Sequence, residues 1–223
     1  MTVLSLSAFA VLALEVCSIG STSSSDPESA ATASSEDASM PAPLSSAELA
    51  KRLLGEGDLG EGYARTPLRS AVHDDVSVIG CPALEKLGAD AATGAGLDFF
   101  RKAKASFTYV GGSDSEVSEE LYSDSAARLS KGIGQIFEAM LSCPTYQVAS
   151  GSTVIDMGTQ MTAAPDLGDE QWSQLLTYSV GGQRSVVKQT AVRIGTVLVI
   201  VSGSPGLVDA SLEKALAKAQ AAS

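Results

Sequence analysis

The chain has 223 residues, enough for one domain of ordinary size and a further segment beside it. A formal net charge of −11 and fifteen scattered Lys and Arg exclude a basic face that tracks phosphates, so no nucleic acid is expected as a partner. One histidine, His73, excludes any chemistry that needs two.

Residues 3–14 form an apolar run of about twelve, where a bilayer-spanning helix needs roughly 20. The length fits the apolar region of a secretory signal. Cys17 follows it, with Leu14 at the third position before the cysteine, in the manner of a bacterial lipobox. Glu15 and Val16 fill the two positions where small residues are usual. No base precedes Lys51, so translation is expected to start upstream of Met1, with an Arg or Lys. On this reading residues 1–17 are a signal peptide and lipobox. Cys17 is the lipidation site, carrying palmitate-class acyl chains and becoming the mature N-terminus. The product is held at the extracytoplasmic face of the cell membrane. The alternatives are a cleaved soluble secreted form and a cytoplasmic protein with an apolar N-terminus.

Residues 18–43 are rich in Ser, Ala and Thr, with four acids and no base. Such a segment buries too little apolar area to offset its chain entropy and is expected to be a disordered tether. As a flexible coil it spans roughly 25–30 Å. The folded domain is expected over residues 44–223. Ser45 and Glu48 have capping-box spacing, and Leu44 and Leu49 that of a hydrophobic staple, which predicts a short helix. Gly55 is expected to end it in a left-handed conformation. The glycine-rich segment 55–63 is read as a turn. Its acids Glu56, Asp58 and Glu61 repel phosphate, and its spacing is not that of a calcium loop.

Pro82 predicts a helix start after Cys81. Residues 105–110 and 116–122 predict strands, the second polar enough for a sheet edge. Residues 125–143 predict an amphipathic helix, with Leu129, Ile133, Ile136, Phe137, Met140 and Leu141 on one stripe. Cys143 falls on that stripe and Pro144 stops the helix. In an oxidising compartment a Cys81–Cys143 disulfide is expected, a buried free thiol being the alternative for either. Two cysteines and one histidine fall short of a zinc site, and no metal or cofactor is expected.

Residues 153–157 predict a strand. Residues 172–180 and 185–192 form a hairpin about Gly181–Gly182. Gly195 marks a further turn. Residues 196–201, TVLVIV, are apolar on both faces, as a central strand covered on both sides would be. Residues 207–222 predict a closing helix with Val208, Leu212, Ala215, Leu216 and Ala219 inward. The element order is that of an α+β domain.

Several features occur together in a known order. Leu53, Leu54, Gly57, Asp58, Leu59, Gly62 and Tyr63 precede a cysteine and a short helix. A strand reading EVSEELYSDSAA (116–127) and an amphipathic helix ending in a second cysteine follow. The pair VRIGTVLVIVSG (192–203) comes late. In this order the chain resembles the PknH-like extracellular sensor domain family over about residues 45–222. The resemblance implies a twisted antiparallel sheet flanked by helices, a ligand-binding cleft and a disulfide matching Cys81–Cys143. No kinase region is read in these residues, so the chain is not expected to phosphorylate.

The function expected is a non-catalytic cell-surface lipoprotein with a ligand-binding or sensor domain. Its partners are the membrane, through the anchor, and an unknown small molecule or envelope component. The alternatives are an envelope protein- or polymer-binding module and a small secreted hydrolase. His73 is the one candidate base for a serine hydrolase, and no GxSxG elbow is present. A glycosidase needs only two carboxylates, and the chain has 26 acids.

Overall fold

The computed structural model describes residues 42–67, 76–88, 99–111 and 115–221. The segment expected to be a signal peptide, with Cys17, nearly all of the expected tether, and His73 lie outside the described residues.

Helix α1 (Ser46–Arg52) starts with the expected capping box. Glu48 N–H donates to Ser45 Oγ at 3.3 Å, and Ser45 N–H donates to Glu48 Oε2 at 2.7 Å. Leu44 and Leu49 pack into one core cluster, as the staple predicts. The end of the helix differs from expectation. Leu53 closes α1 in an extended conformation, and Gly55, with φ −114°, caps a one-turn helix α2 (Glu56–Leu59). The segment read as a turn therefore contains that helix. Asp58 is the cause: its carboxylate accepts Gly55 N–H at 2.7 Å and Lys218 Nζ at 2.5 Å.

Nine strands among the described residues form one sheet. They are β1 (Tyr63–Thr66), β2 (Val76–Ile79), β3 (Lys102–Tyr109), β4 (Glu116–Ser123), β5 (Thr145–Ser150), β6 (Thr153–Met161), β7 (Glu170–Val180), β8 (Gln183–Ile194) and β9 (Val197–Gly203). Their order is β1-β3-β4-β9-β8-β7-β6-β5-β2, and every pairing is antiparallel. Gly181 and Gly182, with φ 56° and 83°, make the β7–β8 hairpin turn, which needs positive φ at both central residues.

Three further helices complete the fold: α3 (Pro82–Leu87), α4 (Ala126–Ser142) and α5 (Pro205–Gln220). Helices α1 and α5 pack on one face of the sheet, over β3, β4, β9 and β8. Helix α4 lies on the other face, over β6, β8 and β9, with α3 against it. Strand β9 serves both faces, as its sequence predicts. Val197, Val199 and Val201 enter the α1–α5 core, while Leu198 and Ile200 enter the α4 core. The inward stripe expected for α5 is buried at every position. This is an α+β fold with a large antiparallel sheet flanked by helices.

The edge expected at 116–122 is a correction. β4 lies inside the sheet, between β3 and β9. Its polar pair is internal because Glu119 accepts Leu54 N–H and Glu120 is paired with Lys104.

Candidate functional site

Cys81 caps the N-terminus of α3 and Cys143 the C-terminus of α4. The two form a disulfide with Cα atoms 5.7 Å apart across 62 residues of sequence. It is packed among Leu84, Met140, Tyr146 and Leu176. The bond ties both helices to the β5–β6 end of the sheet. Burial raises the phenol of Tyr178 to about 12 and that of Tyr146 still further, so both stay neutral beside the bridge.

The α4 face carries a row of polar side chains across the strands. The register aligns Thr66, Ser106, Ser118, Ser202, Gln189 and Gln174, one from each of β1, β3, β4, β9, β8 and β7. Gln174 is fully buried. Its Nε2 donates to Gln189 Oε1 at 2.9 Å, and its Oε1 has no hydrogen-bond partner. Ser106 and Gln189 are buried, while Ser118 and Ser202 are half-buried. In the neighbouring row Lys104 Nζ lies 2.5 Å from Glu120 Oε1, and Tyr122 donates its hydroxyl to the other oxygen of Glu120. Together the two rows place hydroxyls, amides and one neutralised carboxylate along the flank of α4. They offer hydrogen-bond donors and acceptors with little net charge, which suits recognition of a polar ligand more than an ionic one.

The opposite face holds a different group. Glu119 sits between Val117 and Leu121 on β4 and is fully buried. Its Oε2 accepts Leu54 N–H at 2.5 Å, and its Oε1 has no partner. Burial raises its carboxyl to about 7, against the lowering effect of the Leu54 N–H. Arg65 Nη2 donates to Leu54 O at 3.3 Å, so the α1–α2 junction is held on both sides.

The fold is similar to that of an extracellular domain of known structure. The crystal structure of the extracellular domain of PknH from Mycobacterium tuberculosis superposes with a TM-score of 0.58 at 14% identity, covering 79% of this chain and 95% of that one. No family model matches the sequence, and no curated protein matches it. At that identity the PknH likeness is one of fold.

On the PknH-like fold the sequence-predicted residues fall as follows. Cys81 and Cys143 are brought together, and Cys17 lies outside the described residues. Among the described residues no group of three or more His, Cys, Asp or Glu could hold a metal ion, and no helix is long and apolar enough to cross a membrane. The polar row escaped sequence reading because each strand contributes one residue to it. Glu119 left a signal: it shares an alternating phase with Val117 and Leu121, an acid in a core register.

Proposed function

We propose that the chain is an exported lipoprotein, acylated at Cys17, whose PknH-like domain binds a ligand outside the cytoplasm without transforming it. The observation that carries this reading is the extracellular-domain fold closed by a buried disulfide, a combination that belongs in an oxidising compartment. The binding surface in this reading is the polar row beside α4, with Ser118, Ser202 and Gln189 as the hydrogen-bonding groups. An uncharged, hydroxyl-rich small molecule or envelope component matches that set.

Intact-mass spectrometry of the exported protein tests the anchor: a diacylglyceryl adduct on Cys17 is expected, and an unmodified Cys17 rejects it. Native mass spectrometry of the same material tests the ligand, since replacing Ser118 and Ser202 by Val should release any co-purified molecule. Retention of that molecule by the variant rules out the row as its site.

The second reading, an envelope interaction module, draws on a different surface. Ile79 and Val154 are 48% and 49% exposed at the β2–β5–β6 end of the α5 face. Cross-linking in the native envelope through those two positions would favour it over a small ligand.

A further inference from the structure

Residues 99–104 read FFRKAK, three bases without an acid. The two phenylalanines have opposite fates. Phe99 is buried, with its ring 5.7 Å from that of Tyr122, and a Cβ on Gly132 would meet it at 2.7 Å. Phe100 is 97% exposed.

Five exposed bases share this end of the molecule. Arg101 and Lys102 follow Phe100 directly, and Arg101 O accepts Ser123 N–H at 3.0 Å. Lys104 points from the same face of β3 as Lys102. Arg128 and Lys131 come from the first turns of α4, next to the Gly132 that Phe99 covers. Two acids, Glu120 and Asp124, are buried here and paired with Lys104 and Arg128, while Asp169 and Glu170, farther along the same rim where Ser130 bonds Glu170, are paired with Arg193. Among the described residues Arg101, Lys102 and Lys131 make no ion pair. Glu48, in the adjoining α1, keeps its negative charge, held in place by hydrogen bonds from Ser45. In a chain of net charge −11, a local cationic surface around a bare aromatic ring is a departure that needs a reason.

The polypeptide also joins the domain here. Leu44 N–H donates to Ser123 Oγ at 2.8 Å, and Lys102 N–H donates to Ser46 Oγ at 3.1 Å. The described chain therefore enters the domain, at residue 44, at the same end that carries Phe100.

We propose that this end is a docking surface for an anionic phospholipid bilayer. Phe100 enters the headgroup boundary, and Arg101, Lys102, Lys104, Arg128 and Lys131 lie against lipid phosphates. A bare ring followed directly by Arg101 and Lys102, with further bases at the same end, has the composition of an interfacial anchor. A protein interface of stable size instead has a contiguous apolar centre depleted of charge. The overall acidity does not forbid the contact, because charges beyond about 8 Å are screened at physiological ionic strength. Each base near an anionic surface contributes roughly a fivefold gain in binding. The setting rests on the exported, anchored reading above. The tether would then raise the local concentration of lipid at the patch.

The test uses the full chain with Cys17→Ser, so that no acyl chain contributes. Co-sedimentation is measured with vesicles of equimolar phosphatidylglycerol and phosphatidylcholine, and with vesicles of phosphatidylcholine alone. Binding to the anionic vesicles only, weakening as salt rises, is expected. Phe100→Ser should weaken it about tenfold or more, since burying a phenylalanine is worth that much. The double change Arg101→Glu, Lys102→Glu should abolish it, while Lys86→Glu on α3 should not alter it. All four positions are at the surface, and an unchanged melting temperature verifies folding. The proposal is overturned if the anionic vesicles are not bound, or if Phe100→Ser binds as well as its parent. It is equally overturned if polyglutamate is bound and vesicles are not, which would make the patch a site for an acidic protein. The acylation state of Cys17 is read separately by mass, so failure of the anchor and failure of the patch are distinguishable.

Discussion

Glu119 stands where the alternation of β4 calls for an apolar side chain, flanked across the sheet by Ala105 and Val201. Burial holds its carboxyl at about 7, well above the ordinary carboxylate range. Asp58, Arg65 and Lys218 are the charged groups that act on it, with burial as the largest cause of the shift. A raised carboxyl binds its proton more tightly folded than unfolded. The stabilisation is therefore fully present below pH 4.5 and is lost as pH rises through 7. The difference amounts to a loss on the order of 3 kcal/mol across that window. Other shifted acids act elsewhere on the pH axis. Glu48 is lowered by its hydrogen bonds to Ser45. Asp58 and Glu170 are raised by burial but brought below their ordinary values, by Lys218 and Gly55 in one case and by Ser130 and Arg193 in the other. Those three lose their contribution as pH falls below the ordinary carboxylate range. Urea unfolding at pH 5 and pH 8 should show the wild type less stable at pH 8, and Glu119→Gln should remove most of the difference. Equal pH slopes for the two proteins would refute the assignment.

Elements are held to the sheet by a few specific closures. The disulfide joins α3 to α4 across 62 residues, and in the chain-entropy model such a loop contributes about 4 kcal/mol. Cys81→Ala with Cys143→Ala should lower the unfolding free energy by up to that amount, as read from a denaturant titration in the absence of reductant. A change below about 1 kcal/mol would place the helix docking in apolar packing alone. The acidic turn before β7 is closed differently. Gly168 has φ 71°, and a Cβ there would meet Arg193 O and Val192 Cγ1, each at 2.6 Å. Arg193 in turn grips Asp169 at 2.9 Å and Glu170 at 3.0 Å. Gly168→Ala should cost about 1–3 kcal/mol through backbone strain and overpacking, measurable as a lowered melting temperature. Elements with such local determinants were legible in sequence. The capping box announced α1, the 3–4 spacing of apolar residues announced α4 and α5, and the glycine pair announced the β7–β8 hairpin. Strands β1 and β2 were not legible, because YART and VSVI are four-residue edges that exist through pairing with β3 and β5. β5 was missed for a related reason: its order comes from β6 beside it rather than from its own pattern. β4 was read as an edge because two carboxylates looked solvent-bound, and only their partners, Leu54 N–H and Lys104, make them internal.

At the scale of the molecule, sequence order and spatial order run against each other. The two strands nearest the N-terminus lie at opposite edges of the sheet, and the last strand lies inside it. β9 pairs with β4 and β8, and its alternate side chains supply core clusters on both faces of the sheet. The first part of the sheet, β1-β3-β4, therefore meets the second, β8-β7-β6-β5-β2, only through β9. Helix α5 follows it and covers the seam with Val208, Leu212, Ala215 and Leu216. Long-range antiparallel pairing of this kind commits late, after much loop entropy has been lost. A chain ending at residue 195 should retain the β5–β8 meander and the disulfide but lack the strand that joins the halves. It is expected to show no cooperative thermal transition and to expose apolar surface to a hydrophobic dye. Removal of the opposite end, residues 1–41, leaves all nine described strands and should preserve the transition. A cooperative melt in the chain ending at 195 would mean that the meander folds alone and that β9 only adds to a finished unit.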